Sequence, residues 1–293
     1  MNHPAENGDR IVFDCDNTFG VPAHPFDDGL ALLYLLGKRA PLVGVTATHG
    51  NAGVDVTYEN TRRMLRDFGR TEIPVVKGGA SKDDRRSEAA HFLVRQADAC
   101  RGGLRILATG ALTNLCAAHE LDSGFFGKIK ELVLMGGITE ALFPGGVGPD
   151  ELNFSCDPEA SHCVLTNGKN ISIATGNNCL PAYIRRDEYE TRLTAANNPV
   201  GLYIREQTRS WLDAKAKMYG LDGFYAWDAV AAVYLFEKRF FEDCAYRCAP
   251  ASSDLARGYI GQADGASART LNLPLLRDAE AFARELYGAW LGL

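Results

Sequence analysis

Apolar and polar positions along this chain follow two different periods. Short aliphatic and β-branched runs at Ile11–Asp14, Leu42–Thr48, Pro74–Lys77, Leu104–Ala108, Glu131–Met135 and Ile171–Ala174 are too brief for helices and read as strands. Between them, apolar residues recur every three or four positions at about 28–38, 57–68, 86–99, 113–120 and 157–166, the spacing of one helix face. This alternation predicts an α/β fold, with a single open, mostly parallel sheet of Rossmann-like type and helices on both faces. From about residue 184 the pattern turns largely helical, with helices over Val200–Lys217, Trp227–Phe236 and Asp278–Leu291 and a short strand pair around 256–273. No internal repeat, low-complexity tract or linker interrupts the sequence, so residues 1–293 read as one domain.

Several predicted strands run into polar or glycine-rich turns: His49-Gly50-Asn51, Gly78-Gly79, Thr109-Gly110, Gly136-Gly137 and Thr175-Gly176-Asn177-Asn178. Open α/β sheets bind ligands outside the carboxyl ends of their strands, so these turns are the places to look for function. The first strand stands out. It ends in Asp14-Cys15-Asp16-Asn17-Thr18, and Asp27-Asp28 follow beyond Pro22 and Pro25. Carboxylates crowded at one sheet mouth repel, and each resists ionisation unless a cation sits among them. Oxygen donors of this kind suit Ca²⁺ or Mg²⁺. The plainer role for Asp27 or Asp28 is to cap the helix that starts near Gly29-Leu30. Cys15 alternates with the flanking aspartates and should face the other way, as a buried filler.

Composition narrows the field without naming a chemistry. The chain is 46% hydrophobic and 23% charged, within the range of globular enzymes, and carries a formal charge of -6. That balance argues against a nucleic-acid partner, which calls for a basic face. No apolar run is long enough to cross a bilayer, and the first residues lack a signal-peptide pattern, so a cytoplasmic protein without a membrane partner is expected. The eight cysteines are scattered and form no CxxC, which points to small buried hydrophobes in place of disulfides or zinc.

Asp14-Cys15-Asp16-Asn17-Thr18 resembles the opening motif of the haloacid-dehalogenase-like phosphatases, in which Asp14 would be the nucleophile beside Mg²⁺. No later strand ends in the paired acids that such a site needs. The whole chain is more similar to the inosine-uridine-preferring nucleoside hydrolases. The resemblance rests on Asp14, Asp16, Asp27 and Asp28 around an insertion, Thr48-His49-Gly50-Asn51, Thr109-Gly110-Ala111-Leu112-Thr113-Asn114 and Met135-Gly136-Gly137. It continues through Glu151-Leu152-Asn153-Phe154 with Asp157-Pro158-Glu159-Ala160, and ends on Trp227-Asp228-Ala229-Val230-Ala231.

That resemblance implies hydrolysis of the N-glycosidic bond of ribonucleosides to free base and ribose. It implies a Ca²⁺ held by Asp16, Asp28, Asp228 and the Thr109 carbonyl, with Asp16 taking the proton of the attacking water. Asp27, Asn51, Met135, Glu151, Asn153 and Trp227 become substrate-binding groups, the partner is a small nucleoside, and a homo-oligomer (dimer or tetramer) is expected. Asn51 could instead be a left-handed turn residue, and Trp227 could pack beside Phe224 and Tyr225. Asp157, before Pro158, is assigned to helix capping. A ribose-binding protein without turnover remains the non-enzymatic alternative.

Three departures bear on specificity. Trp227 stands where many relatives carry a histidine, and all six histidines lie in the first 162 residues, so no late imidazole can protonate a leaving base. A Trp-Asp pair resembles the purine-specific branch and favours inosine, guanosine and adenosine, with a pyrimidine or broad preference as the alternative. Gly78–Ser87 is charged and reads as a lid over the base, while the insertion Phe19–Phe26 reshapes the mouth. No asparagine lies between Gly137 and Glu151, which removes one usual contact to the ribose 5′ side.

Overall fold

The structure is a computed structural model that describes residues 9–142, 151–265 and 268–293. The strands are β1 (Arg10–Cys15), β2 (Leu42–Ala47), β3 (Val75–Lys77), β4 (Leu104–Ala108), β5 (Ile129–Met135), β6 (Ile171–Ala174), β7 (Tyr183–Arg185), β8 (Gly223–Tyr225), β9 (Phe241–Glu242), β10 (Ala245–Cys248), β11 (Arg269–Asn272) and β12 (Leu275–Leu276). The helices are α1 (Asp27–Gly37), α2 (Val54–Asp67), α3 (Glu88–Ala99), α4 (Thr113–Leu121), α5 (Leu152–Ser155), α6 (Pro158–Asn167), α7 (Gly176–Cys179), α8 (Arg186–Ala195), α9 (Pro199–Tyr219), α10 (Trp227–Phe236), α11 (Ser252–Leu255) and α12 (Ala279–Leu291).

The main sheet has the order β3-β2-β1-β4-β5-β6-β11-β10, parallel except for the antiparallel β10–β11 pair. The chain winds outward from β1 through β2 to β3, then returns to β4 and winds the other way through β5 to β6. Strand order therefore reverses between β1 and β4, and their carboxyl ends part around a crevice. The two-residue period of β1 sorts its side chains between two cores. Ile11, Phe13 and Cys15 join the core beneath α1, α10 and α12, and Val12 joins the one beneath α3, α4 and α6. Cys15 is fully buried, as its alternation required.

α1 shows why a nearly all-apolar segment becomes a central helix. Leu30 to Leu36 are all buried, because α10 and α12 cover the sides that a surface helix would expose to water. Each such leucine contributes roughly 1.5–3 kcal/mol by leaving water. The α1–α12 approach is close enough that a Cβ at Gly37 would meet the Ala289 carbonyl oxygen at 2.1 Å.

Two features differ from expectation. Among the described residues, β11 is the one strand within 256–273; its partner β10 comes earlier, at Ala245–Cys248, as a half-exposed edge strand with little apolar alternation to betray it. Helix α8 was not foreseen either. It buries only Tyr189 and Leu193, too few positions to produce a visible period.

Candidate active site

Acids reach the β1–β4 crevice from three elements. Asp14 lies in β1 and Asp16 just beyond it, Asp27 and Asp28 open α1, and Asp228 is the second residue of α10. Since α1 and α10 pack together, their N-termini bring two sets of partial positive charge to the same place, which favours acids there. One carboxylate oxygen from each of Asp27, Asp28 and Asp228 lies within 4.8 Å of the other two. Asn51 ties Asp16 to this group. Its Nδ2 donates to Asp16 Oδ1 at 3.1 Å and Asp28 Oδ2 at 3.2 Å, and its backbone N–H donates to Asp16 Oδ2 at 2.5 Å. The Thr109 hydroxyl donates to Asp28 Oδ1 at 2.7 Å. Asn153 Nδ2 donates to the Thr109 and Met135 carbonyls at 3.1 and 3.0 Å, joining the ends of β4 and β5.

This arrangement is electrostatically unfavourable for protein alone. Burial, then the charge of neighbouring carboxylates, pushes Asp16 and Asp27 from 3.8 up to about 7. The same causes push Asp28 and Asp228 well above the ordinary aspartate range. Glu151 also rises to about 7 through burial, although the Phe154, Gly137 and Asn153 backbone N–H groups oppose the shift. A cluster of buried oxygen donors, with no sulfur or imidazole in it, fits a hard divalent cation and not zinc.

Asp14 is different. It is fully buried, accepts from the Thr46 hydroxyl and from Asn114 Nδ2, and does not line the cavity. Its Oδ2 and Asn114 Oδ1 have no hydrogen-bond partner among the described residues, in keeping with a carboxyl that burial holds protonated up to about 7. An aspartate so enclosed cannot attack a phosphate ester, which removes the basis for the phosphatase resemblance.

Above the acids opens a cavity of about 340 Å³. Asp27, Asn51, Thr109, Met135, Glu151, Asn153, Trp227 and Asp228 line it, while Asp16 and Asp28, 0% and 1% exposed, lie behind the lining and bond Asn51 and Thr109 within it. The residues that the resemblance assigned to metal and substrate thus either line the cavity or bond residues that do. Asn51 is no left-handed turn residue: the positive φ belongs to Gly50, at 153°. Trp227 is partly exposed to the cavity, with its ring centroid 4.7 Å from that of Tyr225. Glu151 caps α5 by accepting from Asn153 N at 2.6 Å and Phe154 N at 2.9 Å. Asp157 caps α6 as expected, and also accepts from Thr113 and Arg85.

An aromatic part of the wall was not foreseen. Phe26, Trp211, Phe224 and Tyr225 line it, and Phe26 packs edge-on against Trp211 and Phe224 at 5.1 and 4.8 Å. The insertion contributes Pro25 and Phe26 to the cavity lining. Gly78–Ser87, by contrast, is no lid: none of it lines the cavity, and Arg85 pins it to buried Asp157 at 2.9 Å. Residues 143–150, most of the asparagine-free stretch before Glu151, lie outside the described residues.

Known proteins share this fold. The curated relatives include "Probable uridine nucleosidase 2" of Arabidopsis thaliana, 27% identical over 265 residues and covering 80% of each chain. Among solved structures, a plant nucleoside hydrolase superposes with a TM-score of 0.83 at 20% identity, covering 96% of this chain and 98% of that one. A purine-preferring ribonucleoside hydrolase from Gardnerella vaginalis gives 0.78 at 20% identity, covering 97% and 98%. The family described as inosine-uridine preferring nucleoside hydrolase matches residues 11–282, and the chain belongs to that family.

Proposed function

We propose that this nucleoside hydrolase cleaves ribonucleosides with calcium as its metal and accepts purine nucleosides ahead of pyrimidine ones. The observation that carries the reading is the buried acid cluster under an aromatic-walled cavity, since N-glycoside hydrolysis needs both. Cleavage passes through a cationic sugar while negative charge builds on the base. Asp27, Asn51, Glu151 and Asn153 bind the ribose hydroxyls as paired acceptors and donors, fixing C1′ beside the acids. Asp16 accepts the proton of the water that attacks C1′. Asp16, Asp28, Asp228 and the Thr109 carbonyl would hold the calcium ion, which when bound offsets the carboxylate repulsion and makes nearby water more acidic.

Trp227 supports the purine preference. Its exposed face offers a stacking surface for a two-ring base, and no histidine is among the described lining residues. The uridine nucleosidase relative favours a second reading, a pyrimidine substrate. A base-release panel over inosine, guanosine, adenosine, uridine and cytidine, with EDTA and with restored calcium, decides between them. Faster release from uridine than from inosine would reverse the preference, and EDTA-resistant release would remove the metal. By resemblance the chain assembles into a dimer or tetramer, which light scattering would check.

A further inference from the structure

A departing base needs a proton or a strong hydrogen bond, and the acids that line this cavity, Asp27, Glu151 and Asp228, are those assigned above to the ribose and the metal. In the aromatic part of the wall, Phe26 and Phe224 carry no polar hydrogen, and the indole N–H of Trp211 or Trp227 can donate a bond but does not release a proton. Tyr225 is the exception. It lines the cavity, and its ring lies 4.7 Å from that of Trp227 at 35°. Antiparallel pairing of β7 with β8 sets Tyr225 opposite Tyr183, their centroids 4.9 Å apart, and Tyr183 in turn donates to exposed Asp222. Tyr225 therefore links the stacking face to the β7–β8 pair.

We propose that the Tyr225 hydroxyl bonds the base and protonates it as the C1′–N bond breaks, a role that rests on the nucleoside hydrolase reading above. In balance, the C1′–N electron pair moves to the base, the phenolic hydrogen passes to that base, and the water oxygen bonds C1′ as its proton goes to Asp16. Solvent then returns a proton to the phenolate and removes one from Asp16. The net change is nucleoside plus water to base plus ribose.

The test is Tyr225→Phe, which keeps the ring and its contacts. Assisted proton transfer by a positioned side chain is worth about 100-fold or more, so kcat on inosine should fall by about that factor with KM little changed. The loss on p-nitrophenyl riboside, whose phenolate leaves without help, should be at least about tenfold smaller. Equal losses on both substrates, no loss on inosine, or a change confined to KM would each overturn the assignment. Base release by wild-type enzyme stands as a separate measurement: if no nucleoside releases its base, the hydrolase reading falls and the tyrosine role with it.

Discussion

Gly50 offers a strict test of the assigned site, because replacing it touches the proposed base without altering any acid. A Cβ built at Gly50 lies 2.0 Å from Asp16 Oδ2, whereas real Cβ contacts essentially never fall below 3.0 Å. Its φ of 153° is also one that side-chain-bearing residues rarely adopt. Gly50→Ala must therefore push the Asp16 carboxylate away by about 1 Å, and a misplacement of that size costs about 100-fold in rate. Expressed as a barrier, the loss is about 2.7 kcal/mol. Gly53→Ala is the control: three residues along the same loop, it has nothing within 4 Å of its Cβ and an ordinary φ of -64°. Steady-state kcat on inosine, with circular dichroism to confirm folding, should fall about 100-fold in the first variant and stay within about threefold in the second. A folded Gly50→Ala enzyme with kcat near wild type would refute Asp16 as the proton acceptor.

Further outcomes follow from the same geometry. Asp16→Ala and Asp228→Ala should each lower kcat by at least about 1,000-fold, measured as ribose formed from inosine, and wild-type turnover in either would refute the site. Trp227→Ala should cost inosine far more than p-nitrophenyl riboside in kcat; equal losses would deny Trp227 a leaving-group role. In metal-free enzyme, Glu151 holds its proton up to about 7 in the native state but only to about 4.5 when unfolded. Its stabilisation is thus complete below about 4.5 and lost as pH rises toward 7, so the EDTA-treated melting temperature should fall across this window. Glu151→Gln should flatten that fall, and an unchanged slope would contradict the assignment.

The sequence by itself determined the parallel sheet, since alternating periods of two and 3.6 leave few other ways to bury both faces of each strand. It also pointed to most of the polar residues gathered at the cavity, because strand ends and helix starts are local events marked by Asp16, Asn51, Thr109 and Asp228. Tertiary structure alone decided how these parts differ in use. Asp14 and Asp16 lie two residues apart in one motif, yet Thr46 and Asn114 enclose the first while Asn51 ties the second to Asp28. Phe26, Trp211 and Tyr225 come from an insertion, a long helix and an edge strand, so nothing in their local patterns could announce a shared wall. Arg85 reads as part of a free charged loop until packing sets it against buried Asp157, more than seventy residues away. Period and turn chemistry act over a few residues and are written locally, whereas a cavity wall is an outcome of long-range packing.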